Sequence, residues 1–214
     1  MELNTYPLVC TRGVVLYPNQ EIVIDVGRDT SVHAVENAQD NYDKKICLFS
    51  QKELEKENPG KEDIYPVGTL CEVRHIRRFD NFLRVKFRGI KRVKLNNWIN
   101  GSLSDLAEVE ILESEKQDAV EEEALIRMIA DELDRMQGQD RFVTKEIVME
   151  ISKGMGGEFL SDKAVQGLPL DIERKQQYLE TLGVNDRLMM LLQDMAKEKK
   201  MSEVEQQINE TVKE

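Results

Sequence analysis

The sequence predicts an α+β protein in which a β-rich first half precedes a helical second half. Up to residue 114, apolar and polar residues alternate over short runs, as at Leu83, Val85 and Phe87. This period of two is typical of strands with one buried face. After residue 114 the apolar residues recur at helical spacing, as at Leu125 and Ile129, which indicates amphipathic helices. We therefore expect the two halves to meet near residue 114.

The first half contains eight short segments with strand character. A closed or nearly closed barrel would accommodate them economically, because closure leaves few unpaired edges. Gly27 permits a sharp turn after one strand, and Asp29 or Thr30 is predicted to cap a following helix. The predicted strands lie near residues 6–10, 13–17, 21–26, 45–49, 67–77, 82–88, 90–96 and 105–112.

The second half divides into a helical bundle and a long final helix. Glycines at 138, 154, 167 and 183 follow the apolar stripes and predict the ends of successive helices. The final helix is expected to begin behind Asn185 and shows no stop signal, so we expect it to lead toward a further module. These signals predict domains at 1–114, 115–184 and 185–214.

The end of the final helix carries a narrow apolar stripe with near-heptad spacing, surrounded by Glu and Gln. The charged run at 197–200 separates it from the apolar face of the preceding turns. This pattern predicts an interface with another helix or another subunit. Its residues are Met201, Val204, Ile208 and Val212.

Composition restricts the class of protein. The net charge of −11 argues against generic affinity for nucleic acid. No apolar run approaches the length of a membrane span, and no signal segment is evident, so we expect no membrane association. Cys10, Cys47 and Cys71 lie in apolar strand patterns. They predict buried free thiols in a reducing compartment, and hence a cytoplasmic protein.

One basic stretch runs against the overall charge. Residues 69–98 contain nine Lys and Arg against Glu72 and Asp80, a local charge of +7. Some of the basic residues alternate with apolar ones, which favours a solvated strand face over a surface that binds nucleic acid. The stretch contains no base-reading motif.

The sequence contains no catalytic signature. The glycine-rich loop that cradles nucleotide phosphates is absent, as is the Gly-x-Ser-x-Gly nucleophile elbow. The histidines, His33 and His75, have no zinc-site spacing, and the acidic run 121–123 suits a helix start. We therefore assign no catalytic residue, no metal and no cofactor to this chain.

Residues 7–38 resemble the opening of the N-terminal domain of the Lon family of ATP-dependent proteases. They read Pro-Leu-Val-Cys-Thr-Arg-Gly-Val-Val-Leu-Tyr-Pro and continue to a Val-Gly-Arg-Asp-Thr-Ser helix start. Further segments resemble family motifs and follow in the family's order over nearly the whole chain. They lie at 46–53, 63–69, 84–93, 168–170 and 175–188.

The resemblance implies a PUA-like pseudo-barrel followed by a helical bundle, and a non-catalytic role. Such a module would capture unfolded or tagged protein segments for an ATPase ring. It also implies a homo-hexameric parent with ATP, Mg²⁺ and a Ser-Lys peptidase dyad, whose motifs lie downstream of the matched region. The alternative is a stand-alone adaptor of the same fold that binds one folded partner or nucleic acid.

Candidate contact residues for clients are aromatic residues and prolines at predicted loops, where burial is least assured. They occur after the first turn, before the central strand and at a hairpin tip. In chain order they are Tyr17, Pro18, Tyr65, Pro66, Phe79 and Phe82.

Overall fold

The computed structural model describes residues 3–136 and 145–213. The chain forms two compact units. The first comprises residues 1–113 together with 170–180, and the second comprises 114–169 together with 181–214. In the described range, no helix is both long enough and apolar enough to cross a membrane.

The first unit contains one six-stranded sheet. Its order is β2-β5-β4-β3-β1-β6, and a further pairing of β5 with β6 closes five of the strands into a ring. The pairing of β1 with β3 is parallel and the others are antiparallel. The predicted α+β class and barrel are confirmed. The strands are β1 (Leu3–Thr11), β2 (Glu21–Val26), β3 (Lys45–Ser50), β4 (Val67–Arg78), β5 (Leu83–Ile99) and β6 (Leu106–Leu112).

The strand predicted at 13–17 does not form. The segment is held by hydroxyl groups of neighbouring strands, which donate to carbonyls that a sheet ladder would otherwise use. Thr11 and Ser50 both donate to the Val14 carbonyl, and Thr69 donates to the Leu16 carbonyl. Side-chain hydrogen bonds of this kind compete with regular secondary structure.

The strands predicted at 82–88 and 90–96 form the single strand β5. It continues through Gly89, whose N–H and C=O bond to the segment at 19–20. A Cβ atom at this position would lie 2.2 Å from the Tyr17 carbonyl oxygen. Only glycine allows the two backbones to approach so closely.

Strand β3 is buried on both faces of the sheet. On β3, Ile46 and Leu48 belong to one apolar cluster, whereas Cys47 and Phe49 belong to another. Helix α1 (Asp29–Asn41) covers the first cluster with its buried Ala34, Val35 and Ala38 side chains. Burial on both faces explains why β3 reads as a continuous apolar run and not as an alternation.

Helix α5 (Ile172–Glu180) belongs to the first unit, although the sequence predicts it as part of the helical bundle at 115–184. Polar contacts attach it to the strands. The Tyr17 hydroxyl donates to the Lys175 carbonyl (2.7 Å), and Gln176 Nε2 donates to the Val67 carbonyl (2.8 Å). Buried Arg92 donates to the carbonyls at the C-terminal end of the helix, where its charge also complements the helix dipole.

The second unit contains four helices in the described residues, and α6 packs against α2 and α4. Buried Arg187 donates to the carbonyls of Thr181 and Leu182 and to the hydroxyls of Ser114 and Ser161. The Gly138 expected to end α2 lies outside the described residues. The helices are α2 (Ala119–Met136), α3 (Lys145–Ser152), α4 (Gly157–Gly167) and α6 (Val184–Lys213).

Two predicted helix caps are wrong. Helix α1 begins at Asp29, with Arg28 as the N-cap residue and no side-chain cap bond. Helix α6 begins at Val184, one residue before the predicted cap Asn185. The Asn185 side chain instead donates to the Asp118 carbonyl and the Glu121 carboxylate, so its amide holds α2 and not its own helix.

Candidate functional site

Two aromatic rings form a platform at the tip of the β4–β5 hairpin. The rings of Phe79 and Phe82 stack with centroids 4.6 Å apart and planes inclined by 12°. The Phe79 N–H donates to the Phe82 carbonyl (2.9 Å) and closes the turn around Asp80-Asn81. Both side chains are half-buried, so a partner can reach part of each ring.

Two guanidinium groups border these rings. The Arg77 guanidinium carbon lies 5.0 Å from the Phe79 centroid, and that of Arg84 lies 5.3 Å from Phe79 and 5.7 Å from Phe82. These separations are within the range of cation–π attraction. We call the group formed by Arg77, Phe79, Phe82 and Arg84 the hairpin platform.

A carboxylate on the neighbouring strand orients one of the arginines. Arg84 Nε and Nη2 donate to the two oxygens of Asp25 at 2.7 and 2.8 Å. This hydrogen bonding holds the pKa of Asp25 below its ordinary value and the pKa of Arg84 above its own. The bidentate geometry restricts the guanidinium to one orientation beside the rings.

Tyr17 and Pro18 do not lie on the surface as predicted. Both are buried, and the Tyr17 side chain has 0% exposure because its ring packs inside the first unit and its hydroxyl binds α5. Gly89 packs directly against the backbone of these two residues. The preceding residues are held by hydroxyl groups that bind the Val14 and Leu16 carbonyls. Neither side chain presents surface to a client in this structure.

Tyr65 and Pro66 remain accessible. Pro66 is exposed and Tyr65 is half-buried. Burial raises the pKa of Tyr65, and the nearby Glu173 and Glu180 of α5 raise it further. The two backbones are held by the sheet, since the Tyr65 N–H donates to the Ser50 carbonyl and the Pro66 carbonyl accepts from β5.

Carboxylates offset much of the charge of the basic stretch at 69–98. Five of its basic side chains form ion pairs, and Arg92 is buried against α5. A phosphate backbone would have to compete with these internal partners, which favours the prediction of a solvated strand face. The pairs are Arg74–Glu72, Arg78–Glu36, Arg84–Asp25, Lys86–Glu21 and Lys91–Glu113.

The stripe on α6 is exposed along its length. Its four side chains have exposures between 43% and 79%, and they follow the helix from Met201 to Val212. Within the described part of the chain they therefore contribute little to the core of the second unit. Their proposed role as an interface stays a prediction.

Sequence reasoning missed a cleft beside Arg28. Arg28 lines two adjoining cavities of about 360 and 170 Å³, which also share Cys10 and Ser31. Its guanidinium donates to the Cys10 carbonyl, the Gln51 side chain (2.8 Å) and the Glu57 carbonyl (3.1 Å). Nothing in the local pattern marks this residue, because its partners are distant in sequence.

The accessible groups of the site described above are aromatic rings and guanidinium groups. Such groups make non-covalent contacts with polypeptides, and the class of protein that they define is a recognition domain. Residues 5–197 match the family described as "ATP-dependent protease La (LON) substrate-binding domain". The chain belongs to this family, which confirms the resemblance found in the sequence.

Relatives with curated names support the assignment. The chain is 31% identical over 213 residues to the Lon protease of Buchnera aphidicola from Acyrthosiphon pisum, covering 99% of this chain and 27% of that protein. It is 34% identical over 212 residues to the Lon protease of Syntrophomonas wolfei, covering 97% of this chain and 26% of that protein. The chain thus spans about a quarter of the length of the relatives it matches.

Solved structures support the fold. The N-terminal domain of a Mycobacterium avium complex Lon protease aligns with a TM-score of 0.73 at 18% identity, covering 90% of this chain and 98% of that one. A Lon N-terminal domain protein from Xanthomonas campestris aligns with a TM-score of 0.61 at 16% identity, covering 88% and 97%.

Proposed function

We propose that this chain captures unfolded or tagged protein segments and helps to pass them to the ATPase ring of a Lon-type protease. Membership of a substrate-binding domain family and the names of the relatives support this role. In this proposal the parent is a homo-hexamer that uses ATP, Mg²⁺ and a Ser-Lys peptidase. Three buried free thiols fit a reducing compartment such as the cytoplasm.

The observation that carries the proposal is the hairpin platform. Stacked, half-accessible rings bind aromatic and aliphatic side chains through their faces, and the adjacent guanidinium groups bind aromatic rings and carboxylates. These contacts require no particular client sequence. They suit weak capture of many unfolded chains, which a ring of several copies would strengthen through multivalency.

The proposal is tested by replacing both rings of the platform. The wild-type chain should bind a reduced, alkylated protein with a Kd in the micromolar range or weaker, roughly −8 kcal/mol, and more tightly than the same protein folded. Phe79→Ser with Phe82→Ser should weaken that binding about tenfold, because it removes both stacking faces. Fluorescence anisotropy with labelled client measures the change.

A matched variant separates recognition from folding. Phe79→Tyr with Phe82→Tyr keeps both rings and should bind client as the wild type does. The serine pair should lower the free energy of unfolding by only about 1–2 kcal/mol, since both rings are half-exposed. Unchanged client binding by a folded serine variant would contradict the role of the platform. Strong, salt-sensitive binding of duplex DNA would favour the nucleic-acid alternative.

A further inference from the structure

Strand β2 has one unpaired edge. On one side it pairs with β5 along its whole length, from Glu21 opposite Arg88 to Val26 opposite Leu83. It stands at the end of the strand order, and no other strand in the described residues pairs with its second side. The edge is six residues long, which is the typical length of a strand in a sheet.

The pairing with β5 determines which backbone groups of β2 are directed toward that edge. The Gly89 N–H donates to the Gln20 carbonyl (2.9 Å), one position before the β2–β5 ladder begins. Hydrogen-bonded and non-hydrogen-bonded pairs alternate along an antiparallel ladder. The N–H and C=O groups of Glu21, Val23 and Asp25 are therefore directed away from β5, toward the open edge.

A cleft of about 360 Å³ lies along the C-terminal half of this edge. Residues 24–28 form one wall, and residues 9–12 form the other. On that second wall the Cys10 carbonyl already accepts a hydrogen bond from Arg28. The edge of β1 is thus capped by a side chain at Cys10. Of the residues of β2 whose backbone groups are directed outward, Asp25 lines the cleft.

The outer face of β2 combines paired charges with one apolar side chain. Glu21 pairs with Lys86 at 2.8 Å, and Asp25 pairs with Arg84 at 2.7 Å. Between them Val23 is 56% exposed. An added strand would therefore meet an apolar contact at the centre of the edge and carboxylates at its ends.

A second copy of β2 fits this edge poorly. If two β2 strands paired antiparallel around Val23, Glu21 of each strand would lie opposite Asp25 of the other. Like charges directly opposite each other destabilise a strand pair. A strand with apolar residues at the centre and neutral or basic residues at the ends meets no such repulsion. The charge pattern therefore favours a foreign segment over self-association.

We propose that an extended segment of an unfolded client adds as a strand to the open edge of β2. The inference rests on the proposed function and specifies the form in which a client is held. Backbone hydrogen bonds to Glu21, Val23 and Asp25 supply sequence-independent affinity, and the side chains set a preference against acidic segments. A client proline within the paired segment would block binding, because it lacks an N–H donor.

The experiment removes one outward N–H from the edge. In Val23→Pro the ring blocks strand addition but removes no bond to β5, and edge strands tolerate proline where the N–H is directed to solvent. Val23→Thr is the matched control, since it changes the side chain and keeps the N–H. The probe is a short fluorescent peptide of alternating Val and Thr with lysines at both ends. A second peptide of the same sequence carries N-methyl groups on alternate residues.

We expect the wild type and Val23→Thr to bind the unmethylated peptide with similar affinity. Val23→Pro should bind it about tenfold more weakly or worse, and the wild type should bind the methylated peptide equally poorly. Equal binding of the two peptides by the wild type would overturn the proposal. This comparison needs no variant, so it decides the question even if Val23→Pro fails to fold. Dimerisation of the wild type that Val23→Pro abolishes would also overturn it.

The design separates failure of this inference from failure of the proposed function. If unfolded protein binds through Phe79 and Phe82 but the two peptides bind equally, the client is held by side chains. The proposed function then stands and the strand-addition proposal is wrong. If neither unfolded protein nor peptide binds at all, both proposals are wrong.

Discussion

At the scale of single residues, the buried Arg92 and Arg187 and the half-buried Arg28 use backbone carbonyls as their main partners. Arg92 binds the last carbonyls of α5, and Arg187 binds the carbonyls of the turn before α6. Arg28 binds one carbonyl of a loop, that of Glu57, and one carbonyl of β1, that of Cys10. A guanidinium has five N–H donors in a fixed fork, so one side chain can satisfy several carbonyls that no ladder reaches. These residues hold irregular segments in place.

Burial should make the three cysteines unreactive in the folded chain. All three are buried free thiols, as predicted from their strand positions. Burial raises the pKa of Cys10 from an ordinary value of 9.0 to about 12 and raises the pKa values of Cys47 and Cys71 above theirs. We expect negligible reaction with Ellman's reagent at mildly alkaline pH, and three reactive thiols per chain after denaturation. Rapid reaction of folded protein would contradict the described burial.

The same pKa shifts predict how stability depends on pH. A thiol whose pKa is raised by folding stays protonated in the native state, while the unfolded chain ionises above its ordinary pKa of 9.0. The contribution of these thiols to stability is therefore complete below pH 9 and declines as the pH rises toward 12. Cys10→Ala should reduce this alkaline loss of stability, which urea titrations at several pH values would measure.

At the scale of single elements, the position of α5 depends on contacts that are distant in sequence. Its sequence is that of an ordinary amphipathic helix, and it lies between segments that belong to the second unit. Its position in the first unit is determined by polar side chains of the strand half, chiefly Arg92 and Tyr17.

Replacing Arg92 tests this anchoring. Arg92→Met should lower the free energy of unfolding of the first unit by about 2–4 kcal/mol, because the α5 carbonyls lose a buried donor. Arg88→Met changes an exposed arginine on the same strand and should cost no more than about 0.5 kcal/mol. Hydrogen exchange at residues 172–180 should increase in the first variant alone. Similar stability of the two variants would show that packing alone holds α5.

At the scale of the whole molecule, the exposed stripe on α6 concerns assembly. Its spacing is that of a helix seam, its flanks are charged, and its side chains lie outside the core of the second unit. We propose that it pairs with another helix, either in a second copy or in a longer parent protein.

Two substitutions at exposed positions test whether the stripe is an interface, and they leave the buried core of the second unit unchanged. Val204→Asp with Ile208→Asp should leave the unfolding transition of the chain unchanged within about 0.5 kcal/mol and abolish any concentration-dependent self-association in sedimentation experiments. Glu203→Asp with Glu205→Asp is the matched surface control. Strong protection of residues 201–212 from hydrogen exchange in a strictly monomeric sample would place the stripe in an internal core and contradict the proposal.

The sequence by itself determined the family, the α+β class, five of the six strands within a few residues of their bounds, and the burial of the cysteines. Each of these depends on local periodicity or on motifs that the chain carries in order. Alternation at Leu83, Val85 and Phe87, for example, requires only that one face of a strand be buried.

Only the tertiary structure decided the burial of Tyr17 and Pro18, the place of α5 and the open edge of β2. These features depend on which segments meet in space, and a local sequence pattern does not identify the distant residues that it will contact. Tyr17 occupies a predicted loop in the sequence, yet Gly89 and the Lys175 carbonyl enclose it in the fold. Likewise, the alternating pattern of β2 does not show that it is an edge strand. In the fold, β2 pairs with residues 83–88 of β5, whereas β6 pairs with residues 92–99 of β5 and with the first half of β1. The ring of strands therefore closes through β6 and leaves β2 with one partner.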